Sequence, residues 1–204
     1  MFICFEGIAG SGKTTQTKNL FEYLKTKNKD VFVSSAYEGN RRLAVSSFMN
    51  ETGIKSDQNA VMFLFQSLHA AQFFEVNESL RLGKTVIADR WSPSFYAHHL
   101  YQNTFNGDGV LMDKIDRLAF RSLEPDAYFL IDLPPDVAYS RYVEREKVIS
   151  DKGLDLMHLE YFSSVSLYYK EVAQKKGWYV IDGTQSEDAV FLSIKKIIDQ
   201  KLCS

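Results

Sequence analysis

The chain has 204 residues, 45% of them hydrophobic and 25% charged, with a formal net charge of −2; this balance is that of a folding globular protein and excludes a disordered or fibrous one. No Lys or Arg block is long enough for a basic stripe, so a nucleic-acid polymer is not an expected partner, and the longest apolar stretch, Val61 to Phe65, is too short to span a bilayer. Cys4 and Cys203 lack metal-ligand spacing and a secretory framework, and a strand stands where a signal peptide would, so a cytoplasmic location is expected.

In chain order, Met1 to Phe5 reads as a strand and residues 13 to 27 as a helix. Val31 to Ser34 is a second strand, with helices over 41 to 50 and 58 to 82. Thr85 to Ala88 is a third, followed by helices over 93 to 103 and 110 to 123. Ala127 to Ile131 is a fourth; Pro134-Pro135 then opens a helix over 135 to 146, and another covers 155 to 176. Trp178 to Ile181 is the fifth strand, before a last helix over 186 to 201. The alternation predicts one α/β domain over 1 to 204, with five buried parallel strands and helices on both faces. The charged stretch Glu144 to Asp155 is a candidate mobile lid, placed over about 144 to 156.

Gly7-Ile8-Ala9-Gly10-Ser11-Gly12-Lys13-Thr14 matches the pattern G-x-x-x-x-G-K-[ST], after a predicted strand and before a predicted helix, the context it requires. Glycines let successive N–H groups turn toward one anion, and the helix start adds its dipole. Lys13 then suits terminal phosphates and the Thr14 hydroxyl suits Mg²⁺. A glycine-rich turn can be a mere connector, but Lys13 and Thr14 in register argue against that. The loop does not itself separate kinases from GTPases or transport ATPases; the guanine-reading N-K-x-D and the transporter signature L-S-G-G-Q are both absent.

The third strand delivers Asp89-Arg90 to the carboxyl edge of the sheet, where ligands of open α/β folds bind. Asp89 can hold the Mg²⁺ shell or orient an acceptor, and Arg90 offers a planar fork to phosphate oxygens. The alternative is a capping Asp beside a surface Arg. Arg141 and Arg145 lie four apart on one helix face, so both can point at one group, or at solvent beside Glu144 and Glu146.

"FEGIAGSGKTTQ" at 5 to 16, "GKTVIADRW" at 83 to 91, "FLIDLPPDVAYSRYVER" at 129 to 145 and "VIDGT" at 180 to 184 together resemble the thymidylate kinase family, within the P-loop nucleoside monophosphate kinases. The resemblance covers nearly the whole chain. It implies the P-loop NTPase fold with a short lid, ATP-dependent phosphorylation of a deoxynucleoside monophosphate, typically dTMP, and often a homodimer. By the resemblance, ATP is held by residues 7 to 14 with Thr15, Arg141 and Thr184, and Mg²⁺ by Thr14 and Asp89. Lys13, Asp89, Arg90, Arg141 and Arg145 act on the transferring phosphoryl group. The acceptor is bound by Glu38, Arg41, Phe65, His69, Arg90, Ser94 and His98, with Phe65 stacking the base.

Several residues depart from the family pattern. Ala9 stands where an acidic residue often serves the acceptor sugar, and His69 near where an Arg reads the thymine edge. His69 can still hydrogen bond, with fewer donors and a pH-dependent charge. "YEGNRR" at 37 to 42 replaces the family segment after the second strand, leaving Glu38 with Arg41 or Arg42 to grip the acceptor phosphate. Ala97-His98-His99 replaces Ala-Tyr-Gln, with one histidine expected to face the substrate and the other solvent or core. Asp151-Lys152 stands where the lid usually has Asp-Arg. These departures keep open a related kinase with another nucleotide or nucleoside acceptor, and an ATP-binding regulatory protein without catalysis.

Overall fold

The structure, a computed structural model, describes residues 1–37, 40–53, 57–102, 108–149 and 158–203. The chain runs β1 (Phe2–Glu6), α1 (Lys13–Thr26), β2 (Val31–Ser35), α2 (Asn40–Thr52), α3 (Gln58–Arg81), β3 (Thr85–Asp89), α4 (Ser92–Gln102) and α5 (Gly109–Phe120). It continues with β4 (Ala127–Asp132), α6 (Pro135–Ile149), α7 (Leu159–Lys176), β5 (Tyr179–Asp182) and α8 (Glu187–Cys203). The strands form one parallel sheet in the order β2-β3-β1-β4-β5.

Successive side chains of a strand point to opposite faces, and β1 feeds two cores in this way. Ile3 and Phe5 join Leu20 and Leu24 of α1 and Ile194 and Ile198 of α8 on one face. Phe2 and Cys4 join Phe73 and Val76 of α3 and Phe162 and Tyr169 of α7 on the other. Both faces are therefore covered, as all-parallel sheets require.

β1 and β3 are buried throughout, but the expectation of five buried strands is corrected at the edges. In β5 only Ile181 is buried, because this strand pairs with β4 alone. α5 ends at Phe120 rather than 123, since Arg121 and Ser122 both take left-handed backbone angles. α6 runs on to Ile149, so the first residues of the expected lid are helix; 150 to 157, including Asp151-Lys152, lie outside the described residues. No described helix is long and apolar enough to cross a membrane.

Candidate active site

The carboxyl ends of β1 and β3 open into a cavity of about 910 Å³. The loop after β1 forms its floor. Gly12 takes a left-handed conformation as the N-cap of α1, which turns the chain into the helix and points its first N–H groups into the cavity. Gly10 meets α6 directly: a Cβ there would lie 2.3 Å from the carbonyl oxygen of Ala138. This close approach brings α6, and with it Arg141 and Arg145, over the loop.

Lys13 is buried, and its Nζ donates to the Ile8 carbonyl at 2.8 Å and to Ser11 Oγ at 3.3 Å. Burial, and then the Arg90 charge, bring its pKa down to about 7 against the opposing pull of Asp89 and Glu6. A phosphate in the cavity would supply the negative charge that restores the ammonium. Beside it, the Thr14 hydroxyl donates to Asp89 Oδ2 at 2.6 Å across 75 residues of sequence. The two expected metal-shell oxygens are thus side by side.

Arg90 has φ of +76°, a conformation that costs a non-glycine residue about 1–3 kcal/mol. Its N–H donates to Phe5 O at 3.0 Å, and its carbonyl accepts from Gln72 Nε2 at 3.1 Å. The guanidinium donates to Ser94 Oγ at 3.1 Å and to Tyr169 Oη at 3.2 Å. Glu6 sits beneath, fully buried, accepting the Trp91 N–H at 2.8 Å and the Ser94 hydroxyl at 2.9 Å. Burial raises the Glu6 pKa, with the Arg90 charge and those two hydrogen bonds working against it.

Of the residues expected at the site, Ala9, Gly10, Ser11, Gly12, Lys13, Thr14 and Thr15 line the cavity, as do Phe65, Asp89, Arg90, Arg141 and Arg145. Gly7 and Ile8 lie behind the loop, Ile8 giving its carbonyl to Lys13. Ser94 faces Glu6 and Tyr169, not the cavity. Arg41 is turned to α3, paired with Glu75 and donating to Ser35 O at 3.2 Å. Thr184 spends both its hydroxyl and its N–H on Asp182, while its neighbours Gly183 and Gln185 line the cavity. Glu38 and the Arg42 side chain lie outside the described residues.

The histidines differ most from expectation. His69 is 2% exposed, its ring tilted on Phe120, with Nε2 2.7 Å from Tyr37 Oη and Nδ1 2.7 Å from Gln66 Oε1. Burial pushes its pKa down to about 3, so it carries no charge near neutral pH. Tyr37, not His69, reaches the cavity. His98 and His99 both pack inward, His98 edge-on to Phe65 at 6.0 Å and His99 edge-on to Phe95 at 4.7 Å. His98 Nε2 is buried without a hydrogen-bond partner among the described residues.

The thymidylate kinase family model matches residues 5–194, from the end of β1 to the middle of α8. The chain belongs to the thymidylate kinase family. It is 35% identical to the thymidylate kinase of Thermosipho melanesiensis over 99% of each chain. It is 32% identical to that of Thermosipho africanus over 100% of each, and 32% identical to that of Prosthecochloris aestuarii over 97% of this chain and 92% of the relative.

Sequence reasoning gave no role to four residues that support this arrangement, Glu6, Tyr37, Gln72 and Tyr169, although it placed Gln72 on the same helix side as Phe65 and His69. Glu6 carried a signal, as an acid ending an otherwise apolar strand at the sheet's ligand edge. Tyr37 stood inside the segment that departs from the family pattern. Nothing local marks Tyr169, whose hydroxyl sits on the mostly apolar buried face of α7.

Proposed function

We propose that this protein transfers the γ-phosphoryl group of ATP to dTMP, giving dTDP and ADP. The observation that carries this reading is one cavity with two arms meeting over the phosphate loop. One arm runs toward Gly183, Gln185 and Val190, and suits the nucleoside of ATP. The other runs toward Tyr37, Met49 and Phe65, and suits the acceptor nucleoside. Between them stand Arg90, Arg141 and Arg145 and the Lys13 amine, which a bound phosphate would charge, all lining the cavity.

An acceptor phosphate oxygen, already ionised, attacks the γ-phosphorus as its bond to the β–γ bridging oxygen breaks, and ADP takes the electron pair. No protein nucleophile or base is needed, so catalysis is placement and charge. The loop N–H groups and Lys13 hold the terminal phosphates of ATP. Arg90, fixed by Ser94 and Tyr169, holds the acceptor phosphate. Arg141 and Arg145 neutralise charge on the moving group and help exclude water.

The Thr14 and Asp89 oxygens, 2.6 Å apart, fit Mg²⁺, which takes one or two protein oxygens and fills its shell with phosphates and water. Held there, the ion would neutralise charge on the phosphate oxygens. The same reading carries a cytoplasmic location and a homodimer. For the dimer, Phe63 and Phe74 are both exposed and eleven residues apart on α3, hence on one side of it, and Leu118 is exposed on α5, which packs against α3. Sedimentation equilibrium tests the assembly.

The activity is tested by incubating the protein with ATP, Mg²⁺ and each common ribo- and deoxynucleoside monophosphate in turn, recording ADP and the phosphorylated product. Turnover with dTMP well above the others is expected. Turnover with a different monophosphate alone would move the reading to another acceptor. Silence throughout would favour an ATP-binding protein without catalysis.

A further inference from the structure

The base end of the acceptor arm is walled by Tyr37, from the segment that departs from the family pattern, and by Phe65. Tyr37 and Phe65 meet there with ring centroids 5.3 Å apart and planes at 61°. A planar base stacked between two rings needs about 3.5 Å to each, hence roughly 7 Å between them. The pair is too close for that and acts as one continuous wall.

Tyr37 is also fixed. His69, neutral and buried, has its Nδ1 hydrogen committed to Gln66 Oε1, which leaves Nε2 to accept the Tyr37 O–H. Arg41 ties the same connection to α3 a second time, through the Ser35 carbonyl and Glu75. Moving the Tyr37 ring aside breaks the bond to a buried nitrogen and works against the Arg41 tether.

We propose that Tyr37, locked by His69, is a specificity-determining residue of the acceptor site, closing its base end to a single-ring base and rejecting purine monophosphates. This rests on the reading that the arm bearing Phe65 takes the acceptor nucleoside. A two-ring base could enter only by displacing Tyr37 and leaving His69 Nε2 unpaired, the kind of loss by which buried polar groups enforce selection. His69 is then a positioning residue that acts through Tyr37.

The test compares wild type with Tyr37→Ala and Tyr37→Phe, taking kcat/KM for dTMP and dGMP and, separately, calorimetric binding of both monophosphates without ATP. The Tyr37→Ala variant should raise the dGMP to dTMP ratio at least about tenfold in both measurements. The Tyr37→Phe variant, which keeps the ring and loses the lock, should raise it about threefold. A ratio within twofold of wild type in a Tyr37→Ala protein with native circular dichroism overturns the proposal. If that variant does not fold, an unchanged ratio in Tyr37→Phe overturns it. So does a wild type that binds dGMP as tightly as dTMP, or binds neither. A wild type that binds dTMP without phosphorylating it sinks the reaction proposed above, while the binding ratios still decide the role of Tyr37.

Discussion

Acidification should destabilise this protein through His69 in particular, and the size of the effect follows from its surroundings. The imidazole titrates near 6.5 when unfolded and is pushed down to about 3 by burial, with the nearby His99, His98 and Arg90 charges acting the same way. Between those values the native state binds fewer protons than the unfolded state, so stability rises with pH and is lost as pH falls below 6.5. At pH 5 the unfolded histidine is almost fully protonated and the native one is not, a difference of about 2 kcal/mol. Stability of the whole domain is of order 5–15 kcal/mol, so this is a visible fraction. The experiment is urea unfolding at pH 7 and pH 5 of wild type and of His69→Gln, which can still accept from Tyr37 but does not titrate. Wild type should lose about 2 kcal/mol more than the variant between these pH values, at constant m-value. Equal losses in the two proteins would show that His69 is not held neutral, and that the Tyr37 hydroxyl is not bonded to a bare nitrogen.

Gly10→Ala should lower stability by about 2 kcal/mol or more and weaken ATP at least tenfold in calorimetry, because its Cβ meets the Ala138 carbonyl, part of a helix backbone that cannot yield cheaply. Unchanged ATP affinity would mean that α6 does not sit on the loop. Asp89→Asn should raise the Mg²⁺ concentration for half-maximal turnover, while leaving ADP binding without the metal nearly unchanged; an unaltered Mg²⁺ dependence would remove Asp89 from the metal shell. Arg90→Ala should raise KM for the acceptor by about a hundredfold with little change in KM for ATP, since a charge-assisted contact is worth about 1.5–3 kcal/mol. Equal losses for both substrates would contradict its place on the acceptor side.

The fold was legible because its signals are local. Apolar runs bounded by turn residues marked all five strands, and Pro134-Pro135 marked a helix start as its backbone chemistry requires. Burial of the edges was not legible, because Tyr179 and Val180 read as a buried run until β5 is known to have one neighbour. The site divides the same way. The phosphate loop, Lys13 and Thr14 are contiguous, so their spacing alone was enough to propose the cradle that lines the cavity. Arg90 was found from its strand end, but its partners come from β1, α3 and α7, and Tyr169 lies 79 residues away. His69 was misjudged as a titrating contact because sequence shows its place on a helix face and not the Phe120 and Tyr37 rings that cover it.

This division bears on how such a site can change its acceptor. The donor half is a backbone device: N–H groups, a helix start and glycines whose conformations leave little freedom to vary. The acceptor half is a set of side chains held by other side chains. Phe5 and Gln72 hold the peptide groups on either side of the left-handed Arg90 backbone, and Ser94 and Tyr169 hold its guanidinium. On the proposed reading, that over-determination would hold Arg90 still for an acceptor phosphate while the wall farther out is rebuilt. Among the described residues, neither Ala9 nor the Tyr37–His69 pair hydrogen bonds to the guanidinium clamp, so on the proposed reading base and sugar contacts can change while the phosphate contacts stay in place.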